Sequence, residues 1–413
     1  MVTNRTARRE DNLVRALLRG FCALGRDRVR AGVFALTVAV LALVGPSPAA
    51  VAYETKATHA ILMDAETGAI LYQKNADELM PPASMSKLMT IAIVFEALKT
   101  GQITPDEEFY VSENAWRTGG GVSGTSAMFV PVNKRAKVSD LLQGIIVQSG
   151  NDASIALAEG LAGSEEVFAR QMTEYARRIG ITRSTFANST GLPHPDHRMT
   201  ARELAKLALH LKQAYPDYYR YFAQKQFKYR KWTFRNRNPL IHLPIGIDGL
   251  KTGYTKEAGY GLVGAGTFEG RQLVFVVNGL TSKRERKLEA RRLYEWGLRG
   301  FRSFELFEPA EEVASALVWG GDAMYLPLVG RDGVQVLLPR TVSDKKPLKA
   351  SVVYVKPLKA PIRQGDQVAV LRVEGSGSSV SEVPLYAGQD VARSGFIRRG
   401  WSSLVHLALG WIL

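Results

Sequence analysis

The stretch Pro82-Ala83-Ser84-Met85-Ser86-Lys87-Leu88-Met89-Thr90 places a Ser-x-x-Lys pattern at the start of a strongly apolar segment. From Met85 to Leu98 the chain is apolar on nearly every side of a helix, which is typical of a buried helix. Residues three apart share a helix face, so we expect the Lys87 amine to reach the Ser84 hydroxyl. A serine needs a neighbouring base to attack a carbonyl, and burial can lower a lysine pKa enough to supply one. The stretch therefore predicts a nucleophile at the N-terminus of a buried helix, where backbone N–H groups can meet an oxyanion.

The Ser-x-x-Lys pattern alone is a weak signal. A second copy, Ser343-Asp344-Lys345-Lys346, lies in a charged segment, and we interpret it as a solvated turn. The apolar helix behind Ser84 distinguishes the first copy, because a buried helix holds a site rigid.

Ser149-Gly150-Asn151 supplies another hydroxyl and an amide, although serine and asparagine are also ordinary helix caps. Ser112-Glu113-Asn114 repeats the same pattern elsewhere in the chain. Two interpretations of Ser149 and Asn151, as site residues or as a capping turn, follow from this motif by itself.

Lys251-Thr252-Gly253 precedes a pair of predicted strands. A cation and a hydroxyl on an exposed strand edge can bind a carboxylate, with the next backbone N–H, at Tyr254, completing an oxyanion hole. Lys99-Thr100-Gly101 repeats this pattern and is best explained as a helix C-cap.

The three motifs become informative together. Ser149 follows Ser84 by 65 residues, and Lys251 follows Ser149 by 102. Serine-lysine, serine-asparagine and lysine-threonine-glycine in this order are the motif set of penicillin-binding proteins and class A β-lactamases.

The chain resembles the low-molecular-weight penicillin-binding proteins, which are serine-type D-alanyl-D-alanine carboxypeptidases. The resemblance covers most of the chain after residue 52 and is carried by residues 82–90, 148–153 and 248–260. It implies an α+β fold: a helix-flanked antiparallel sheet of the penicillin-binding/serine β-lactamase type, followed by a small all-β domain and a C-terminal amphipathic helix.

The resemblance also implies the roles of individual residues. Ser84 is the acylated nucleophile, Lys87 is its base, and the N–H groups of Ser84 and Tyr254 form the oxyanion hole. Ser149 and Asn151 relay protons and hold the substrate amide, while Lys251 tunes the electrostatics of the site. The residues expected to bind substrate are Thr252, Gly253, Tyr254 and Arg237, the last near the terminal carboxylate or, alternatively, only part of a basic surface loop.

The first 52 residues have the sequence pattern of an export signal. Eight arginines precede an apolar run from residue 31 to 44, and Ala50-Val51-Ala52 provides a small-residue cleavage site. We expect residues 1–52 to be a signal peptide, with an uncleaved membrane anchor as the alternative. Cleavage would remove Cys22, the only cysteine, and a third of the formal net charge of +15.

Three further segments follow the signal peptide. We expect a catalytic D,D-peptidase domain over 53–303, a β-rich domain over 304–392 and an amphipathic helix over 393–413. The tail alternates tryptophans and aliphatic residues with Arg399 and His406, which suits a helix in the membrane surface; a helix docked on the protein's own core is the alternative. The expected location is the periplasmic face of the bacterial cytoplasmic membrane, as a peripheral protein.

Composition excludes several classes of protein. Hydrophobic residues at 46% and charged residues at 23% exclude a wholly disordered chain and a polytopic membrane protein. Residues 225–237 interleave bases with aromatic rings, as some nucleic-acid surfaces do, but an export signal favours an ordinary β-hairpin with one solvated face. His194 and His197 have no accompanying ligand cluster, so we expect no metal. We also expect no cofactor, and the export signal argues against a nucleic-acid partner.

The leading functional prediction is a D,D-carboxypeptidase that removes the terminal D-alanine from peptidoglycan stem pentapeptides, with a role in peptidoglycan maturation and cell shape. β-Lactam antibiotics are then expected to acylate Ser84. A class A β-lactamase is the alternative enzyme, but no Glu-x-x-Leu-Asn motif lies between Ser149 and Lys251. An inactive wall-binding scaffold is the non-enzymatic alternative, and transpeptidase or endopeptidase activity would share the same acyl-enzyme.

Overall fold

The structure is a computed structural model that describes residues 53–339, 349–355, 357–374 and 380–395. The predicted signal peptide, the second Ser-x-x-Lys copy at 343–346 and residues 396–413 of the predicted tail helix lie outside these residues. The described chain forms two compact units, one containing residues 53–66 and 70–299 and the other containing 67–69 and the residues from 300 onward.

An antiparallel sheet of five strands organises the first unit. Its strands are β1 (His59–Asp64), β2 (Ile70–Lys74), β7 (Ile247–Thr255), β8 (Gly259–Phe268) and β9 (Arg271–Leu280). They lie in the order β2-β1-β9-β8-β7, so β7 is at the edge. Strands β8 and β9 have nearly continuous apolar sequences, and at the centre of each strand the side chains on both faces are buried. The Lys-Thr-Gly motif thereby lies on an edge strand that a buried sheet holds in place.

Four longer helices pack around this sheet. They are α1 (Lys87–Lys99), α3 (Asn151–Ala162), α4 (Glu165–Arg178) and α5 (Ala201–Ala214). Ten of the thirteen residues of α1 are buried, as its all-round apolar sequence predicts. Helix α1 packs against the other three, and α5 packs against β1, β8 and β9.

The amphipathic helices have ordinary start signals. The Ser164 hydroxyl caps α4 by accepting from the Val167 N–H, and the Thr200 hydroxyl caps α5 by accepting from the Glu203 N–H. Glutamates in the first turn of α4 and arginines in its last turn also complement the helix dipole. Both helices therefore begin directly after their capping residues.

A last long helix and several short elements complete the first unit. Helix α7 (Lys283–Gly300) follows the sheet and packs on β1 and β9, where a Cβ on Gly297 would lie 2.5 Å from Leu62 and 3.0 Å from Leu273. The short elements are β3 (Glu108–Tyr110), β4 (Arg135–Lys137), α2 (Val138–Gln143), α6 (Pro216–Tyr219), β5 (Gln226–Tyr229) and β6 (Trp232–Arg235).

Two helical segments of the first unit are not α-helical along their whole length. The helix expected from Met85 begins as a 3-10 turn, Ala83–Ser86, before α1. Helix α2 is followed by a π-helical turn, Gly144–Gln148, which ends at Ser149. The periodicity of the sequence cannot distinguish a 3-10 or a π-helical turn from an α-helix, because each differs from the α-helix by less than one residue per turn.

The second unit consists of short strands. They are β10 (Phe301–Phe307), β11 (Glu312–Trp319), β12 (Tyr325–Val329), β13 (Val334–Pro339), β14 (Lys349–Val353), β15 (Leu358–Lys359), β16 (Gln367–Glu374) and β17 (Val380–Ala387). Strand β10 pairs with β13, while β14, β16 and β17 form an antiparallel ladder that continues to β12 and β11. Alternating side chains such as Val313, Leu371 and Leu385 form its core.

Candidate active site

Ser84 and Lys87 meet at the start of α1. The Lys87 side chain is completely buried, and its Nζ lies 3.0 Å from Ser84 Oγ. The same Nζ lies 2.6 Å from Asn151 Oδ1 and donates to the carbonyl oxygen of Thr190. The oxygens of Asn151 and Thr190, from two distant parts of the chain, therefore hold the Lys87 amine beside the Ser84 hydroxyl.

The surroundings of Lys87 favour its neutral form. Burial, followed by the positive charge of Arg237, lowers the pKa of Lys87 to about 7. Glu165 and Asp152 oppose this shift but are weaker than burial. The lowered pKa favours the neutral amine, whose lone pair can accept the Ser84 proton.

Ser149 and Lys251 form a second lysine–serine pair. Ser149 has a φ of 65°, in the left-handed region, and this conformation ends the π-helical turn. Lys251 Nζ lies 2.8 Å from Ser149 Oγ and 3.1 Å from the carbonyl oxygen of Thr252. Burial lowers the pKa of Lys251 well below its usual range, helped by the nearby cations Lys87, Arg237 and Arg286.

Asn151, the first residue of α3, contacts the Lys87 amine. Its Oδ1 accepts from Lys87, and its Nδ2 donates to Thr125 Oγ1 at 3.0 Å. The adjacent Asp152 is buried, and its carboxylate accepts from the N–H groups of Met128 and Val130 at 2.9 and 3.1 Å. This carboxylate fixes the segment after Thr125, and so it holds the partner of the Asn151 amide.

Gly253 allows strand β7 to approach the nucleophile. A Cβ at this position would lie 2.9 Å from the Pro82 carbonyl oxygen and 3.0 Å from Met85 Cγ. Thr252 is buried, whereas Tyr254 is 54% exposed and stacks on Tyr260 at a ring distance of 4.1 Å. The edge strand thus brings its motif beside the 3-10 turn, with the Tyr254 ring directed to solvent.

Arg237 lies at the solvent-exposed margin of the site. Its Nη1 lies 2.5 Å from Ser126 Oγ, in the segment that Asp152 fixes. Partial burial lowers the Arg237 pKa, yet an arginine remains charged at neutral pH. A permanent cation therefore lies close enough to Lys87 and Lys251 to influence both.

Sequence reasoning missed several residues of this site. The Thr190 carbonyl oxygen accepts a hydrogen bond from Lys87. The Thr125 hydroxyl accepts from Asn151, and the Ser126 hydroxyl accepts from Arg237. Arg286 Nη1 lies 3.5 Å from the Gly253 carbonyl oxygen. A turn signal was present at Asn188-Ser189-Thr190-Gly191, but nothing in the sequence directs that turn to Lys87.

The repeated motifs have structural roles in the described chain. Ser112 Oγ accepts from the Ala115 N–H at 2.9 Å, as a cap does. Gly101 follows α1 with a φ of 73°, which confirms the helix C-cap predicted for Lys99-Thr100-Gly101. Neither repeat lies among the contacts of Ser84.

The two histidines weighed as metal ligands have other contacts. His197 Nδ1 accepts from the Ala187 N–H at 3.3 Å, and His194 Nδ1 accepts from the Asp196 N–H at 3.1 Å. No group of three acidic, cysteine or histidine side chains suited to a metal occurs in the described residues.

Comparison with known families agrees with this geometry. A family model described as D-alanyl-D-alanine carboxypeptidase matches residues 46–282. The chain belongs to the D-alanyl-D-alanine carboxypeptidase family. A second family model, the C-terminal domain of penicillin-binding protein 5, matches residues 301–393. The predicted resemblance is confirmed, and this carboxypeptidase is a serine-type enzyme.

Individual relatives of the carboxypeptidase are similar over most of its length. The D-alanyl-D-alanine carboxypeptidase DacC of Escherichia coli is 37% identical over 344 residues, covering 83% of this chain and 86% of that protein. The DacA enzyme of Haemophilus influenzae is 32% identical, covering 84% and 88%. These matches include the Ser84, Ser149 and Lys251 regions.

Solved structures resemble the carboxypeptidase in fold. Penicillin-binding protein 5 from Haemophilus influenzae aligns with a TM-score of 0.67 and 32% identity, covering 84% of this chain and all of that one. Penicillin-binding protein D2 from Listeria monocytogenes, in its ampicillin-bound form, aligns with a TM-score of 0.52 and 27% identity, covering 59% and 98%. The predicted α+β fold with a small second sheet domain is confirmed. No helix in the described part of the chain is long and apolar enough to cross a membrane.

Proposed function

We propose that this carboxypeptidase removes the terminal D-alanine of peptidoglycan stem peptides through an acyl-enzyme on Ser84, with Lys87 as the base. One observation carries the assignment: a fully buried lysine, with a pKa of about 7, lies 3.0 Å from the Ser84 hydroxyl. A neutral amine at hydrogen-bonding distance is what a serine nucleophile requires.

Acylation begins when the Lys87 lone pair takes the proton of Ser84. Ser84 Oγ then attacks the carbonyl carbon between the two D-alanines, and the carbonyl π electrons move onto oxygen. The N–H groups of Ser84 and Tyr254 stabilise this oxyanion, and losing one such donor typically costs roughly 3–4 kcal/mol. Collapse of the intermediate breaks the C–N bond, and the leaving amine takes a proton to depart as free D-alanine.

Ser149 and Lys251 provide a route for that proton. Lys251 Nζ lies 2.8 Å from Ser149 Oγ, and Asn151 contacts Lys87 on the other side. We assign Ser149 to relay the proton to the departing nitrogen and Asn151 to hold the substrate amide. Lys251 keeps the hydroxyl oriented and tunes the electrostatics of the site.

The terminal carboxylate of the substrate requires cationic partners. Arg237 and Thr252 line the same site as Lys251, and we assign them to clamp this carboxylate by charge-assisted hydrogen bonds. Gly253 keeps the strand close enough for substrate to lie beside Ser84. Clamping fixes the scissile carbonyl, and such orientation contributes roughly 7–11 kcal/mol at best.

A water molecule then hydrolyses the acyl-enzyme and regenerates Ser84. β-Lactams carry a carboxylate beside a strained amide, so the same steps lead to an adduct on Ser84. The ampicillin-bound state of the similar Listeria protein supports this proposal. An exported enzyme at the periplasmic membrane surface would have access to both kinds of substrate.

A test combines two substrates with the purified protein. A peptide ending in D-Ala-D-Ala should release D-alanine, and a penicillin should leave a stable adduct that mass spectrometry locates on Ser84. A Ser84→Ala variant should do neither. Rapid penicillin turnover would instead indicate a β-lactamase, and wall binding without either reaction would indicate a scaffold.

We also propose that residues 1–52 are removed on export, that 53–303 and 304–392 are the catalytic and β-rich domains, and that 393–413 anchors the enzyme to the inner membrane. The tail is amphipathic, with tryptophans opposite polar residues. Deleting residues 395–413 should move the protein from the membrane pellet to the soluble fraction. Unchanged pelleting would contradict the anchor.

A further inference from the structure

The hairpin of β5 and β6 carries an unusual charge. From Tyr218 to Ile247 the chain contains seven arginines and lysines and no aspartate or glutamate. Six of the seven lie within residues 225–237. The hairpin is therefore a strongly basic segment, and it leads directly into Arg237 of the active site.

The register of the hairpin separates its two faces. Phe227 pairs with Phe234, and both rings are buried. Lys228 pairs with Thr233 and Gln226 pairs with Arg235, so these residues lie on the opposite, exposed face. The predicted β-hairpin with one solvated face is confirmed.

Arg237 follows the hairpin by two residues and is also exposed. Exposed and buried residues alternate from Thr233 to Asn238, so Arg235, at the end of β6, and Arg237, two residues beyond it, are both exposed. We call Lys228, Arg235 and Arg237 the cationic row. Lys228 pairs with Thr233, which lies one two-residue step, or about 7 Å, before Arg235, so the row continues along the hairpin beyond the residue assigned to the substrate carboxylate.

These hairpin cations have no acidic partners. Nowhere in the described chain does a carboxylate pair with Lys228, Arg235 or the flanking bases Lys225, Arg230 and Lys231; Arg235 contacts only the His242 ring, at 3.4 Å. Some cations elsewhere in the same unit do have acidic partners, as in Lys137–Asp106 at 2.8 Å and Arg198–Glu257 at 3.0 Å. An unpaired row of one sign attracts an external polyanion.

We propose that the cationic row is a second binding surface for the peptidoglycan polymer, where it holds carboxylates of stem peptides next to the one being hydrolysed. This inference rests on the proposed function. A peptidoglycan strand repeats its carboxylates along its length, whereas a short peptide presents them only in the cleft. The row therefore raises affinity for the polymer and leaves the reaction of a short peptide unchanged.

The test separates polymer from peptide with a double variant. Lys228→Gln with Arg235→Gln removes two charges from the row and leaves Arg237 in place. Arg284→Gln with Lys287→Gln removes two exposed, unpaired charges from α7 and serves as the matched control. Each pair is assayed on a soluble D-Ala-D-Ala peptide and on soluble, uncrosslinked peptidoglycan strands rich in pentapeptide.

We expect the row variant to keep the wild-type kcat/KM on the short peptide. Its KM on the strands should rise about three- to tenfold, because exposed charge contacts contribute modestly and add along a row. The difference should shrink at high salt, which screens exposed charges. The control should match the wild type on both substrates.

Binding is also measured without turnover, with Ser84→Ala added to each protein, by co-sedimentation with the strands and with anionic lipid vesicles. Equal polymer affinity of the row variant and the control would overturn the proposal. A loss confined to vesicles would overturn it too, since the row would then serve a membrane. An enzyme inactive on both substrates would refute the proposed function, while the binding assay would still decide the role of the row.

Discussion

The Lys251 amine lies 2.8 Å from the Ser149 hydroxyl, although 102 residues separate them in the chain. A second lysine and serine, Lys87 and Ser84, meet at 3.0 Å in the same site. Both lysines are buried, and the charge of Lys87 further lowers the Lys251 pKa. Two buried cations disfavour each other, so the site favours states in which at least one amine is neutral.

The two lysines should respond differently to arginine substitution. Lys87→Arg places a permanent cation where a base is needed, so acylation of Ser84 by penicillin should fall by about 10²- to 10⁴-fold. Stopped-flow or quench measurement of adduct formation checks this. Lys251→Arg should acylate faster than Lys87→Arg, since Lys251 is assigned an electrostatic role. Equal rates for the two variants would contradict the assignment of Lys87 as the base.

The pH dependence of acylation should follow the Lys87 amine. Its pKa of about 7 means that the second-order acylation rate rises with pH up to about 7 and levels off above it, because only the neutral amine accepts a proton. The Arg237 cation helps to lower this pKa, so Arg237→Gln should move the acid limb to higher pH. If the acid limb stays at the same pH and only substrate binding weakens, Arg237 does not lower the Lys87 pKa and acts only by contacting the substrate carboxylate.

Gly191 should tolerate no side chain. Its φ is 78°, and a Cβ would lie 2.0 Å from the Ala83 carbonyl oxygen, next to Ser84. Gly191→Ala should therefore both destabilise the protein and reduce acylation. Gly163→Ala is the matched control: its φ is 79° but nothing lies within 4 Å, so it should cost only about 1–2 kcal/mol. Denaturant unfolding and adduct formation measure both effects, and similar losses for the two variants would refute the close approach.

The Asp152 carboxylate should stabilise the segment that contacts Asn151. Asp152→Asn keeps one accepting oxygen but replaces the other with an NH2 group, so either the Met128 or the Val130 N–H loses its acceptor at a cost of about 1–3 kcal/mol. Asp106→Asn removes an exposed carboxylate paired with Lys137 and should cost less than about 1 kcal/mol. Urea unfolding at neutral pH compares them, and a cost for Asp152→Asn no larger than that of the control would exclude this role.

His197 should make the fold sensitive to acid. The side chain is only 2% exposed, and burial lowers its pKa to about 3, from an unfolded value near 6.5. Between these values the unfolded chain binds more protons, so stability is complete above about pH 6.5 and falls towards pH 3, by at most about 1.4 kcal/mol per unit. His197→Asn should flatten this slope in unfolding measured from pH 7 to 4. An unchanged slope would exclude His197 as its source.

Local sequence determines much of the fold without reference to tertiary contacts. Helix α1 follows from an apolar run with no polar face, and α4 and α5 follow from their caps and periodicity. The hairpin of β5 and β6 follows from strict alternation of aromatic and basic residues. These signals are local, because helix caps, periodicity and strand alternation act over a few neighbouring residues.

The three motifs can be recognised in the sequence, but each pattern occurs more than once. Ser112 and Ser149 begin the same Ser-x-Asn pattern, and only the folded chain brings the second to Lys251. The Thr190 carbonyl on Lys87 comes from a turn about a hundred residues away, and no local pattern specifies such a contact. The low pKa of Lys87 likewise requires complete burial beside Arg237, which depends on how distant segments pack. The sequence by itself determined the helices, the hairpin and the identity of the reactive groups; the tertiary structure decided which copies meet and which amine is neutral, because distance and burial are properties of the folded chain.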